Sequence, residues 1–179
     1  MQSTRASILE SALAILRDPD GPNLTLDSTA RRAGITKPGL MYHFPTKDSL
    51  VLGILQHVAG TWERRFLERL DKPIEESTAA ERIRCYVEVT LTAELDLADL
   101  AVFFDAHYRD TLAEVWQSTM GPWVELPEST PAAARGKLHA ARLAADGFWF
   151  ASASGALQPS SRDRDAIEAA LFWLMATDA

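Results

Sequence analysis

The stretch Leu24–Leu50, LTLDSTARRAGITKPGLMYHFPTKDSL, constrains this chain more than any other. It reads as two short helices joined by a tight turn, followed by the start of a third. Thr25 is placed to cap the first helix, and Asp27 falls in its first turn, where a negative charge suits the helix dipole. Leu26, Ala30 and Ala33 share one helical face. Gly34 then stands where helices commonly end in the left-handed region. Thr36 is the next cap and Lys37 the first helical residue. Pro38 lies in the first turn, where its missing N–H does little harm. Phe44-Pro45 stops this second helix after about two turns (Lys37 to His43), and Thr46 caps a third, longer one.

A helix, a Gly-bearing turn and a second short helix form a helix-turn-helix. In that motif the second helix enters the DNA major groove with its N-terminal residues leading. The residue types suit the task. Lys37 is a cation, Gly39 allows close approach, and Tyr42 and His43 carry polar tips. Lys47 stands just beyond, able to meet a phosphate at a helix N-terminus. The candidate DNA-binding residues are therefore Thr25, Thr36, Lys37, Pro38, Gly39, Tyr42, His43 and Lys47.

The run Gly34-Ile35-Thr36-Lys37-Pro38-Gly39-Leu40-Met41-Tyr42-His43-Phe44-Pro45-Thr46-Lys47 resembles the DNA-binding region of the TetR family of bacterial transcriptional repressors. The likeness combines residue type, spacing and a position near the N-terminus, and covers about the first third of the chain. Met41 departs from it: many members carry there a Tyr that touches the phosphate backbone, and Tyr42 is the neighbour that can take that contact. The runs Tyr42–Pro45 and Ala144–Phe148 also resemble the multidrug-responsive CgmR type within the family. That resemblance implies a repressor of an efflux system, released by cationic drugs.

Charge is distributed to match. The chain of 179 residues has a net charge of −7, which by itself argues against nucleic acid. Residues 1–47 nevertheless carry six cations against four anions, so the body holds all of the negative excess. A mildly basic head on an acidic body fits local phosphate contact. The single cysteine, Cys85, excludes an internal disulfide and fits a reducing cytoplasm. No run has the length of a membrane span and no apolar leader opens the chain, so a cytoplasmic protein without membrane contact is expected.

The remaining pattern is helical throughout, with no β-branched alternation over a useful window. Ser3–Arg17 is amphipathic. The helix from Thr46 to about Leu70 carries Val51, Ile54, Leu55, Val58, Trp62, Phe66 and Leu70 down one side. Further helices are expected over Ala80–Ala93, Asp96–Tyr108, Asp110–Met120, Ala132–Gly155 and Arg162–Ala176, with loops at Asp71–Ser77 and Gly121–Pro131. The fold class is all-α: a three-helix helix-turn-helix head, residues 1–47, and a C-terminal helical ligand-binding and dimerisation domain, residues 48–179.

The helix Ala166–Met175 is apolar on more than one face. Residues Gly147 to Ala156 in the helix before it, whose stretch Leu138–Gly155 is the candidate interface, are almost uncharged all round, and Ala151–Gly155 is a run of small residues. Such helices need burial on every side. A central core helix would supply it, and so would a second copy of the chain in a two-fold four-helix interface. The helix-turn-helix favours the homodimer, since one short recognition helix reads few bases and two half-sites are usual.

Aromatic and acidic residues crowd the body. Trp62, Phe66, Tyr86, Phe103, Phe104, Asp105, His107, Tyr108, Trp116 and Trp149 are candidate lining for a small-molecule effector site. Aromatic faces beside carboxylates suit a planar cation. An effector bound there and an operator bound at the head must weaken each other equally. No catalytic constellation competes, and no metal or cofactor is expected: His-Glu-x-x-His, paired cysteines and phosphate-binding Gly loops are absent. At helical spacing Asp105 and His107 face different sides, which disfavours a shared metal. Two readings stand: a ligand-responsive DNA-binding repressor, and an all-helical small-molecule-binding enzyme without DNA function.

Overall fold

The computed structural model describes residues 4–18, 20–93 and 106–176. Every regular element among them is helical: α1 (Thr4–Leu16), α2 (Leu26–Arg32), α3 (Lys37–His43), α4 (Lys47–Leu70), α5 (Ala79–Thr92), α6 (Arg109–Val124), α7 (Ala132–Ser154) and α8 (Ser161–Ala176). Short 3-10 turns lie at Ile74–Glu76 and Ala106–Tyr108. No described helix is long and apolar enough to cross a membrane. The described residues form two compact units: 4–61 with 106–116, and 62–93 with 117–176.

In the first unit α1 packs on α2 and α2 on α3. Its interior holds Ile8, Leu9, Ala12 and Leu13 from α1, Ala30 from α2, Leu40 and Phe44 from and just after α3, and Leu50, Val51, Ile54 and Leu55 from α4. The caps are local. Thr25 accepts from the Ser28 backbone N–H at 3.0 Å while Ser28 Oγ accepts from the Thr25 N–H at 3.0 Å, a reciprocal pair that satisfies two orphan donors. Thr46 and Ser49 repeat the arrangement at the start of α4. His57 of α4 meets the Glu10 carboxylate of α1 at 2.8 Å, and the Tyr108 hydroxyl donates to Asp48 at 2.9 Å.

In the second unit α5, α7 and α8 pack on one another. Ile83, Val87, Leu91, Leu138, Ala141, Ala145, Phe148 and Leu171 form its core. Thr78 caps α5 with Glu81 reaching back to the Thr78 N–H at 2.8 Å. A hydrogen bond from Lys72 and the one from the Thr78 backbone hold the Glu81 carboxyl down at about 2. α7 follows Pro131 and ends at Gly155 in the left-handed region (φ 68°).

Two sequence expectations need comment. Of the helix expected over Asp96–Tyr108, all but its last three residues lie outside the described residues, and Ala106–Tyr108 is a 3-10 turn. The loop expected from Gly121 is corrected: α6 runs on through Pro122 to Val124. A proline there forfeits one backbone hydrogen bond. Continuing the helix buries Met120 and Trp123, 4% and 1% exposed, whose apolar area outweighs that loss.

Gly53 tests the packing of the first unit. A Cβ there would meet the Phe44 ring at 2.5 Å and Leu9 at 3.3 Å. Gly53→Ala therefore overpacks the contact between α4 and the residue that ends α3. Despite the better helix propensity of alanine, it is expected to lower the unfolding free energy by about 1–3 kcal/mol. Urea denaturation with a lower midpoint at unchanged slope is the expected result.

Candidate functional site

α3 is seven residues long, so its geometry is imposed from both ends. At its approach, Gly34 is left-handed (φ 69°). The Ile35 N–H returns to the Ala30 carbonyl at 3.0 Å and the Gly34 N–H to the Arg31 carbonyl at 3.3 Å. This is the Schellman pattern, and it fixes the angle at which the chain leaves α2. Thr36 then accepts from the Gly39 N–H at 3.2 Å and starts α3. Below, Leu40 and Phe44 are buried. Above, Lys37, Pro38, Gly39, Met41 and Tyr42 are exposed, Tyr42 by 85%, while His43 is half-buried and meets Tyr42 edge-on at 5.3 Å. Thr25, Thr36 and Lys47 are exposed as well. Of the expected DNA-facing residues, all but the half-buried His43 are thus exposed, and Thr25 and Thr36 act as helix caps.

One contact on this surface was not anticipated. The Lys37 ammonium is paired with the Asp27 carboxylate at 2.8 Å, both side chains about half exposed. Arg31, Arg32 and Lys47 are exposed and form no ion pair among the described residues.

The ligand candidates fall in separate places. In the second unit, Phe66 touches Trp62 at 6.1 Å, Tyr86 at 5.2 Å and Trp123 at 5.1 Å, centroid to centroid. Trp62, Phe66 and Trp123 are buried, so these rings fill one another's space. The Tyr86 hydroxyl donates to Asp146 Oδ1 at 2.7 Å, and Arg142 donates to Asp146 Oδ2 at 2.6 Å. Burial, and then the Asp146 charge, push the Tyr86 phenol far up, so the proton stays on Tyr86 as the donor. Cys85, whose thiol donates to the Phe66 carbonyl at 3.3 Å, is raised to about 11 by burial. Trp149 is half-buried in this unit.

His107, Tyr108 and Trp116 belong to the first unit. Tyr108 is buried against His107, centroids 4.7 Å apart, with its hydroxyl on Asp48. His107 is exposed and Trp116 half-buried. Phe103, Phe104 and Asp105 lie outside the described residues. An open groove of about 300 Å³ in the second unit is lined by Arg65, Glu68, Arg69, Val89, Thr92 and Ala93, none of them a candidate.

The candidate lining read from the sequence does not include Trp123, Asp146 or Arg142, although Trp123 belongs to the same aromatic-rich body. Trp123 stands in the stretch expected as a loop around Pro122. Its indole Nε1 is buried without a hydrogen-bond partner, leaving a free donor among the rings. Asp146 had a legible signal: it is an acid in a stretch of α7 otherwise made of Ala, Gly and aromatics, with Arg142 one turn before it.

Residues 8–54 match the model of bacterial regulatory proteins of the tetR family, and residues 80–176, more than half of the chain, match the tetracyclin repressor-like C-terminal domain. No curated protein matches the sequence. Among solved structures, the multidrug binding protein EbrR complexed with malachite green is similar at 17% identity and a TM-score of 0.65, over 97% of this chain and 98% of that one. A TetR-family member from Streptomyces coelicolor A3 gives 18%, 0.63, 97% and 98%. A putative transcriptional regulator from Pseudomonas aeruginosa PAO1 gives 22%, 0.62, 97% and 90%. At such identities the likeness is one of fold. With both the helix-turn-helix head and the C-terminal domain matched by family models, the chain belongs to the TetR family of bacterial transcriptional regulators.

Proposed function

We propose that this chain is a ligand-responsive repressor that binds operator DNA as a homodimer in the cytoplasm, through a DNA-binding domain at residues 1–47. The observation that carries the reading is α3: a capped, rigidly seated helix that buries Leu40 and turns Lys37, Gly39 and Tyr42 to solvent. Exposed Arg31 and Arg32 at the end of α2 and Lys47 at the start of α4 flank it in sequence and would meet phosphates in this reading.

Dimerisation would use α7 and α8. Leu138, Ala141, Ala145 and Phe148 of α7 are buried within the second unit, whereas Leu143 and Phe150, seven residues apart, are exposed. Trp173 of α8 is 69% exposed, with Ala166, Ala169 and Ala170 exposed beside it. Large apolar side chains alternating with small ones on two helices of one unit suit a self-complementary four-helix contact.

The effector site of this reading lies in the helical domain, residues 48–179. Trp62, Phe66, Tyr86 and Trp123 supply aromatic faces, Asp146 a carboxylate and Trp123 a free N–H. A planar aromatic cation matches that chemistry. Since the rings pack against one another in the described state, a guest must separate them. Binding therefore selects a second arrangement of the domain, which is what a switch requires.

Three measurements test this. DNA affinity should fall steeply with salt, and Lys47→Ala should weaken all duplexes alike and flatten the log–log salt slope by about 2 per dimer, one per protomer. A slope unchanged by salt or by the substitution counts against a phosphate contact. Proflavin or malachite green, the ligands in the EbrR structures, should quench tryptophan fluorescence and lower operator affinity by about 5–150-fold, with DNA lowering dye affinity equally. Absence of both effects removes the effector part. Trp173→Glu should raise the dimer dissociation constant more than about 100-fold in sedimentation velocity, because a charge would be buried unpaired, while helix content by circular dichroism is retained.

A further inference from the structure

The Lys37–Asp27 pair does not fit the part of a plain phosphate anchor. A cation meant for phosphate gains from being unpaired, and Arg31, Arg32 and Lys47 form no ion pair among the described residues. Lys37 is instead held at 2.8 Å by a carboxylate from the first turn of α2. That contact sets the Asp27 carboxylate beside the leading end of α3, the end that enters the groove in the DNA-binding reading. A carboxylate there repels every phosphate and every acceptor edge that approaches it. Exposed ion pairs contribute little to stability, so the pair is poorly explained as a fold clasp alone.

The chemistry of the groove supplies an explanation. An ammonium has three donors. One given to Asp27 leaves two, which suits guanine O6 and N7 presented side by side. The carboxylate fixes where those two point, and it can itself accept only from a donor edge, the cytosine N4 amine. Resting on the DNA-binding reading above, we infer that Asp27 is a specificity-determining residue. It holds the Lys37 ammonium for guanine and disfavours phosphate and acceptor edges, so affinity for arbitrary DNA is reduced in exchange for discrimination. Lys37 reads sequence, and Arg31, Arg32 and Lys47 supply the sequence-independent attraction.

The test uses the full chain. A duplex is selected from a random pool with the wild type. Affinities for that duplex and for a scrambled one are then measured at fixed salt for wild type, Asp27→Asn, Asp27→Ala and Lys37→Gln, with melting temperatures for all four. Both Asp27 variants are expected to bind the scrambled duplex about 5-fold more tightly per protomer engaged, the effect of one like-charge contact near 4 Å in water. Their salt slope should steepen by up to about 1 per protomer, as the freed Lys37 takes a phosphate. Discrimination between the duplexes falls accordingly. Lys37→Gln is expected to lose about 10-fold or more on the selected duplex and little on the scrambled one. Asp27 variants that weaken both duplexes together and melt earlier would mark a structural clasp and overturn the inference. An unchanged ratio would overturn it as well, while leaving DNA binding intact. A wild type that enriches no sequence overturns the DNA-binding reading, and this inference with it.

Discussion

A helix of two turns cannot hold itself together in water, because nucleation costs more than so few hydrogen bonds return. The exposed surface of α3 therefore depends on the burial of two side chains, Leu40 and Phe44, 0% and 2% exposed. They anchor α3 from beneath at its middle and its end. The Phe44 ring in turn sits where α4 has no side chain, at Gly53, and carries the Arg5 guanidinium over its face at 5.0 Å. The exposed tips of α3 inherit their positions from this packing. Lys37 and Tyr42 are aimed by what happens on the opposite side of the same helix.

The second unit stabilises something of another kind. Its aromatic cluster is crossed by a polar chain, Tyr86 to Asp146 to Arg142. A carboxylate held by a phenol and a guanidinium is satisfied, so the described packing carries no unpaired charge at that point. The free indole N–H of Trp123 is a buried polar group left unsatisfied, which costs stability. Under the proposed function, a guest that offers an acceptor to Trp123 and a face to Phe66 and Tyr86 would gain differential affinity for an arrangement in which these rings separate. An equilibrium can be shifted only by such a difference.

How much of this was legible in the sequence depends on the range of the forces involved. Local chemistry was readable. The caps Thr25, Thr36 and Thr46, the left-handed Gly34 and the bounds of α3 follow from neighbours within a few residues, and the structure has them where the residues put them. The end of α6 was not readable, because Pro122 is a local signal for stopping and the burial of Trp123 is a distant reason for continuing. The Asp27–Lys37 pair spans ten residues and the turn between two helices. Its existence depends on the angle at Gly34, which the residue type permits but does not measure. Tyr86 and Asp146 lie sixty residues apart, and nothing in either helix alone announces the other. Candidate ligand residues chosen by composition were accordingly spread over both units, whereas those on the head came from spacing within one short stretch of sequence.

Electrostatics joins these points. The head carries a small positive excess on a chain of net charge −7, and one of its cations on the DNA-facing side is already neutralised by Asp27. The sequence-independent attraction left to a single protomer is that of a few cations, so non-specific affinity is low and strongly screened at physiological salt. Low background binding is an advantage when genomic DNA offers a vast excess of wrong sites. It also makes a single protomer inadequate. In the proposed homodimer, affinity comes from two heads engaged at once, one turn of DNA apart, and would be lost when their spacing no longer fits. A weakly charged head is therefore what makes the geometry of the dimer, and hence any guest that alters it, able to govern occupancy.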